Sequence, residues 1–228
     1  MKITSIEVIL VDRPAVNPPF VWRKNIPGSD GATVGGWLVI ETDAGITGFA
    51  TTARGVILKD YVERRFRAEM IGQDPLMREH LWERVWELDR IERFPANLIH
   101  LIDVALWDIA AKAANLPVYK LLGGYRESIP AYASTVTYST IPEFLDIASQ
   151  CIDRGYKAIK LHAFGDAKKD AELSLKLRAH VGPDIALMYD GSAGFDLMDA
   201  VYLGHALDEA DFHWYEEPMR EFSVTAYK

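Results

Sequence analysis

The sequence predicts an α+β unit followed by the first half of an α/β, (β/α)8-type (TIM-like) barrel. Three observations carry that expectation. Strand-like segments near the N-terminus give way to a long stretch of helical spacing. Strand-like and helical segments then alternate at a near-constant period, and no glycine-rich phosphate loop, neither GxGxxG nor GxxxxGK[ST], follows any of the later strands. An open doubly wound sheet shares the alternation, but the missing phosphate loop favours the barrel.

Composition bounds the function classes. The 228 residues are 49% hydrophobic and 25% charged, which is ordinary globular composition and enough chain for one sizeable core or two small ones. A formal net charge of -8 disfavours nucleic acid and anionic membrane surface as partners and leaves a small molecule. The single cysteine, Cys151, makes no internal disulfide and reads as a small buried hydrophobe. There is no apolar run of about 18 residues and no signal-peptide pattern, so a soluble cytoplasmic protein is expected.

The first part, residues 1–125, opens with a strand from Ile3 to Val11. A loop rich in Pro, Asn and aromatic residues follows, from Pro14 to Gly31. Strands at Trp37–Glu41 and Ile46–Ala50 flank the turn Thr42-Asp43-Ala44-Gly45, whose glycine tolerates positive φ, giving a three-stranded meander. From Lys59 to Asn115 the apolar spacing is helical. Leu98, Leu101, Ile102, Ala105, Leu106, Ile109 and Ala113 form one broad face that Asn115 and Pro117 end.

The second part, residues 126–228, repeats. Strand-like runs start near Ile129, Ala158, Ile185 and Phe212, which lie 27 to 29 residues apart. Helical segments fall between them at Ile141–Arg154, Ala167–His180 and Leu197–Ala210. The parts differ in charge: 15 basic and 16 acidic side chains in the first, 10 and 17 in the second.

Polar residues interrupt the ends of these runs: Lys160 and His162, then Asp190, then Glu216 and Glu217. His162, Asp190 and Glu216 are one repeat apart, so they project from equivalent positions on adjacent strands, at the barrel face where catalytic groups gather. Two carboxylates so placed suit a hard cation such as Mg²⁺, and a base beside it can remove a proton α to a carboxylate. The plainer alternatives are that the carboxylates cap the following helices, that Lys160 is an ion-pairing strand-end cation, and that His162 is a hydrogen-bonded core histidine. The loop bearing Trp22, Arg23 and Lys24 reads either as a lid meeting an anionic acid or as a solvated surface loop.

The strings Gly155-Tyr156-Lys157-Ala158-Ile159-Lys160-Leu161-His162, Tyr189-Asp190-Gly191-Ser192 and Trp214-Tyr215-Glu216-Glu217-Pro218 resemble three consecutive strand ends of the enolase superfamily, mandelate racemase subgroup. Thr42-Asp43-Ala44-Gly45-Ile46-Thr47-Gly48, Ala105-Leu106-Trp107-Asp108-Ile109-Ala110 and Leu116 to Gly124 resemble that family's N-terminal capping domain. The resemblance implies a Mg²⁺ cofactor with Asp190 and Glu216 as ligands, and Lys160 as the first lysine of a KxK motif that holds a substrate carboxylate. It places His162 where the second lysine usually stands. That is a departure, since imidazole titrates near about 6.5 and lysine near about 10.4. Ser192 replaces a frequent asparagine. Trp22, Arg23, Lys24, Tyr138 and Ser192 are the candidate substrate-binding residues.

The implied reaction is proton abstraction α to the carboxylate of a hydroxy acid, foremost by an acid-sugar dehydratase, with a racemase, epimerase or cycloisomerase as the alternative. A homo-oligomer is expected at full length. Only four repeats are present, and a complete barrel would need roughly 110 or more further residues. The chain is therefore expected to be a fragment, inactive by itself, with a noncatalytic truncated paralogue as the reading from another class.

Overall fold

A computed structural model describes residues 1–23, 31–93, 96–220 and 224–228. In the first unit, β1 (Ile3–Arg13), β2 (Thr33–Thr42) and β3 (Thr47–Thr52) form an antiparallel sheet in the order β1-β2-β3. Alternation decides its faces: Ile6 and Val8 are buried while Glu7 and Ile9 are exposed, and Leu38 and Ile40 are buried on β2. The β2–β3 turn closes as expected, with Gly45 at φ 72 and the Thr42 hydroxyl donating to the Ile46 carbonyl at 2.8 Å.

Helices cover the buried face. α1 (Gly55–Tyr61) passes through a π-helical turn, Val62–Phe66, into α2 (Arg67–Met70); α3 (Arg78–Glu92) and α4 (Ala96–Ala114) follow, then the short α5 (Val118–Leu121). Leu98, Ile102, Ala105 and Ile109 of α4 join Ile6, Leu38 and Ile40 in one core. The approach is close because Gly48 permits it: a Cβ there would lie 2.2 Å from the Ala105 carbonyl oxygen. α4 stops where the sequence indicates, at Asn115, whose φ of 52 is the left-handed conformation that ends helices.

The second unit carries a parallel sheet in the order β4-β5-β6-β7, made by β4 (Ala133–Ser134), β5 (Ala158–His162), β6 (Ala186–Asp190) and β7 (Phe212–Glu216). Helices α6 (Ile141–Asp153), α7 (Ala167–Val181) and α8 (Leu197–Glu209) alternate with them, within a residue or two of the expected spans. The fold class expected from the sequence is the one observed, an antiparallel α+β unit and then a four-stranded partial barrel. β4 is shorter than its string suggests. Pro130 has no backbone N–H to give a ladder, Ile129 is exposed, and pairing begins only at Ala133.

The period-2 rule divides β5 cleanly. Ile159 and Leu161 enter the apolar core with Leu187, Tyr189, Leu177 and Leu203, while Lys160 and His162 face the other side. At the N-terminal end of the sheet, Arg178 donates from Nε to the Ala210 carbonyl and from its terminal nitrogens to the carbonyls of Gly182, Ile185 and Asp211, all within 2.8 Å. One guanidinium thus satisfies the loop carbonyls there. Among the described residues no helix is long and apolar enough to cross a membrane.

Candidate functional site

Sheet register builds the site. His162 pairs with Asp190 and Asp190 with Glu216, so the three residues at repeat spacing form one row across β5, β6 and β7. A second row lies two residues earlier: Lys160, Met188 and Trp214. By pleat parity both rows share one face.

The helices that follow β5 and β6 are capped by other residues. Asp166 accepts from the amides of Lys168 and Lys169 at the start of α7, and Asp196 accepts from Asp199 at the start of α8. Asp190 is therefore not spent as a helix cap.

Lys160 reaches between the two carboxylates. Its Nζ lies 2.9 Å from Asp190 Oδ2 and 2.9 Å from Glu216 Oε2. His162 Nε2 sits 3.0 Å from the same Asp190 Oδ2. Its Nδ1 lies 2.6 Å from the Thr135 carbonyl, which can only accept, so Nδ1 carries a proton. The other Asp190 oxygen accepts from the Ser192 amide at 2.9 Å. Lys160, His162 and Asp190 are only 6 to 7% exposed, whereas the Glu216 side chain is 41% exposed.

The electrostatics follow from these partners. Burial acts to raise the Asp190 carboxyl, but hydrogen bonds from His162, Lys160 and the Ser192 amide outweigh it and hold the group well below the ordinary carboxylate range. Burial likewise acts to lower Lys160, and hydrogen bonds to Glu216 and Asp190 prevail, raising it above the usual lysine value. The result is an ammonium held between two carboxylate side chains, with Lys160 and Asp190 both kept charged.

Such a donor set fits a divalent cation. Two carboxylate oxygens already converge on one positive centre, which is the chemistry a hard ion asks for, with water or substrate oxygens completing its shell. Among the described residues no cluster of three or more metal-capable side chains occurs.

The candidate binding residues divide. Trp22 packs its indole on the His162 ring, with centroids 4.6 Å apart. Arg23 donates from Nε to the Ser192 carbonyl at 3.0 Å. Ser192 itself, at φ 47, turns its amide onto Asp190. Tyr138 is not brought to the row: it packs edge-on against Phe144 at 5.0 Å, and burial, with the Cys151 thiol adding to it, raises its hydroxyl. Lys24 lies outside the described residues.

Three further residues complete the arrangement. Thr135 orients His162, and its own amide and hydroxyl donate to the Lys160 carbonyl. Trp214 donates from Nε1 to Glu216 Oε2 at 3.2 Å, and Tyr132 meets Trp214 edge-on at 5.6 Å. Thr135 stands one repeat before His162 and Trp214 two residues before Glu216, so both were within reach of the periodicity already used.

Residues 7–123 match the mandelate racemase / muconate lactonizing enzyme N-terminal domain, and residues 143–228 match the enolase C-terminal domain-like family. The chain belongs to the mandelate racemase / muconate lactonizing enzyme family of the enolase superfamily. Within that family it is 30% identical over 188 residues to the 3,6-anhydro-alpha-L-galactonate cycloisomerase of Streptomyces coelicolor, covering 78% of this chain and 52% of the relative. It is 28% identical to the D-mannonate dehydratase of Novosphingobium aromaticivorans, covering 95% of this chain and 59% of that protein. The structure of D-glucarate dehydratase from Agrobacterium tumefaciens, complexed with magnesium, superposes with a TM-score of 0.84 at 31% identity over 100% of this chain and 63% of that one. The chain thus spans about half the length of the curated relatives it matches.

Proposed function

We propose that this site serves proton abstraction α to the carboxylate of an acid sugar, with dehydration as the reaction. The observation that supports it is the row of His162, Asp190 and Glu216 in register, with Lys160 between the carboxylates. Asp190 and Glu216 would hold a Mg²⁺ ion. When bound, the ion supplies positive charge that stabilises the negative charge developing on a carboxylate as its α-proton leaves.

The chain's own residues do the rest. Lys160 is the buried ammonium on this face and offers hydrogen bonds to a substrate carboxylate oxygen. Thr135 keeps one proton of His162 on Nδ1, and Nε2, which donates to Asp190 Oδ2 in this arrangement, is the atom that takes the α-proton after it has given up that hydrogen bond and the proton in it. The electron pair of the broken C–H bond forms the new double bond, and the β-hydroxyl leaves as water on gaining the proton that His162 took up, so that no net proton is consumed. The identity to a cycloisomerase favours a second reading, in which an intramolecular oxygen rather than a hydroxyl group is displaced.

The test is proton NMR in D2O with the protein at its full natural length, Mg²⁺ and a panel of aldonic and aldaric acids. Loss of the α-proton signal or formation of a keto-deoxy acid, both abolished in His162→Asn, is the expected result. A His162→Asn variant that exchanges at the wild-type rate would show that chemistry begins elsewhere.

A further inference from the structure

We infer that Arg23 is a positioning residue that pins Trp22 onto the imidazole of His162. The inference deepens the proposed function, since it rests on His162 being the working imidazole. Trp22 is fastened on both sides. The Val21 carbonyl accepts from the Thr137 amide at 3.0 Å, and Arg23 Nε donates to the Ser192 carbonyl at 3.0 Å. Between these two anchors the Trp22 indole lies against His162, with ring centroids 4.6 Å apart, and Phe20 meets it edge-on at 5.2 Å.

The Arg23 side chain runs through a slot that the sequence leaves open. A Cβ at Gly194 would fall 2.8 Å from Arg23 Cδ and 2.9 Å from Nε, closer than side chains tolerate. On the other wall, Gly165 would bring a Cβ to 3.5 Å from Arg23 Cβ. Gly165 has a positive φ of 72 in any case, whereas at Gly194 a Cβ would meet Arg23 and, at 3.0 Å, the Gly191 carbonyl oxygen, so the glycine leaves room for both.

The contacts close a circuit. Arg23 holds the Ser192 carbonyl, the Ser192 amide holds Asp190 Oδ1, Asp190 Oδ2 meets His162 Nε2, and His162 carries Trp22, the neighbour of Arg23. Ser192 and the following Ala193 both sit at left-handed φ, 47 and 51, a conformation non-glycine residues hold only when their surroundings fix it. Arg23 is one of the groups that fix it. Through this circuit one guanidinium sets the cover over the imidazole and braces the loop that orients its carboxylate partner.

The experiment is NMR on the 228-residue chain at one fixed pH, reading nuclear Overhauser cross-peaks between the Trp22 indole and His162 ring protons together with the His162 ring-proton shifts. Trp22→Leu gives the reference for an uncovered imidazole. Arg23→Met and Gly194→Ala are both expected to lose the cross-peaks and to move the His162 shifts to the Trp22→Leu positions, while the amide spectrum of α7 stays as in the wild type. Cross-peaks and shifts unchanged in Arg23→Met would overturn the inference, whatever Gly194→Ala does. Because the readout is a contact and not turnover, it stands or falls separately from the deuterium-exchange test of His162.

Discussion

Two buried aspartates in the same α/β unit have opposite fates. Asp170, on α7, is completely buried, and its partners are neutral: the amides of Phe164 and Asp166 and the hydroxyl of Tyr189, at 2.8 to 3.0 Å. Burial prevails there and raises its carboxyl above the ordinary value. Asp190, on β6, is nearly as buried, but its partners include Lys160 and His162, and they drive its carboxyl the other way. The comparison teaches that burial alone does not mark a functional carboxylate. A carboxylate satisfied by neutral donors is a structural tie, here tying the loop after β5 to α7; one kept charged by side-chain donors such as Lys160 is available for exchange with a ligand.

Breaking the structural tie should have the largest effect. Asp170→Ala leaves two amides and the Tyr189 hydroxyl buried without partners, and is expected to cost roughly 3 kcal/mol of stability or more. Urea unfolding followed by circular dichroism measures it, and a change under about 1 kcal/mol would mean that the network relaxes or fills with water. Next in size is Lys160→Met, which leaves Asp190 and Glu216 facing each other without their shared cation. Removal of one member of a buried pair costs several kcal/mol, but the part-exposed Glu216 carboxylate is screened, so about 2 kcal/mol is expected. Mg²⁺ should restore part of that loss and bind the variant more tightly than the wild type. Equal Mg²⁺ affinity in the two proteins would show that the ammonium and the ion do not compete.

The smallest effect is a slope. Because the folded Asp170 has a raised pKa, the native state binds more protons than the unfolded chain between the ordinary carboxylate range and that raised value. Its contribution to stability therefore falls as pH rises through that window and is constant above it. Asp170→Asn removes this slope from a plot of unfolding free energy against pH. A slope that persists unchanged in the variant would assign it to another group.

The row of His162, Asp190 and Glu216 was legible because repeat spacing becomes register in a parallel sheet, and register is what the pairing shows. Lys160 was legible by the same logic, two residues from His162 on one face. Asp170 was not, since an acid in the first turn of a helix reads as a favourable partner of the helix dipole and nothing local marks its burial. The role of Arg23 was also hidden. Its carbonyl partner lies 169 residues away, and a basic residue in a long loop looks like a group awaiting an anion. The segment Ile129–Tyr132 misled for a local reason, Pro130 at the edge of a sheet.

The most direct test of the carboxylate pair as a cation site is Tb³⁺ luminescence sensitised by tryptophan, with Mg²⁺ as the competitor. Trp214 is the natural donor, since its indole nitrogen touches the Glu216 carboxylate. Wild-type protein is expected to show sensitised emission that Mg²⁺ displaces. Asp190→Asn and Glu216→Gln should each lose most of it, while Asp170→Asn retains it wherever the variant is folded. Emission undiminished in Asp190→Asn, or lost equally in folded Asp170→Asn, would contradict the assignment of the two aspartates to different roles.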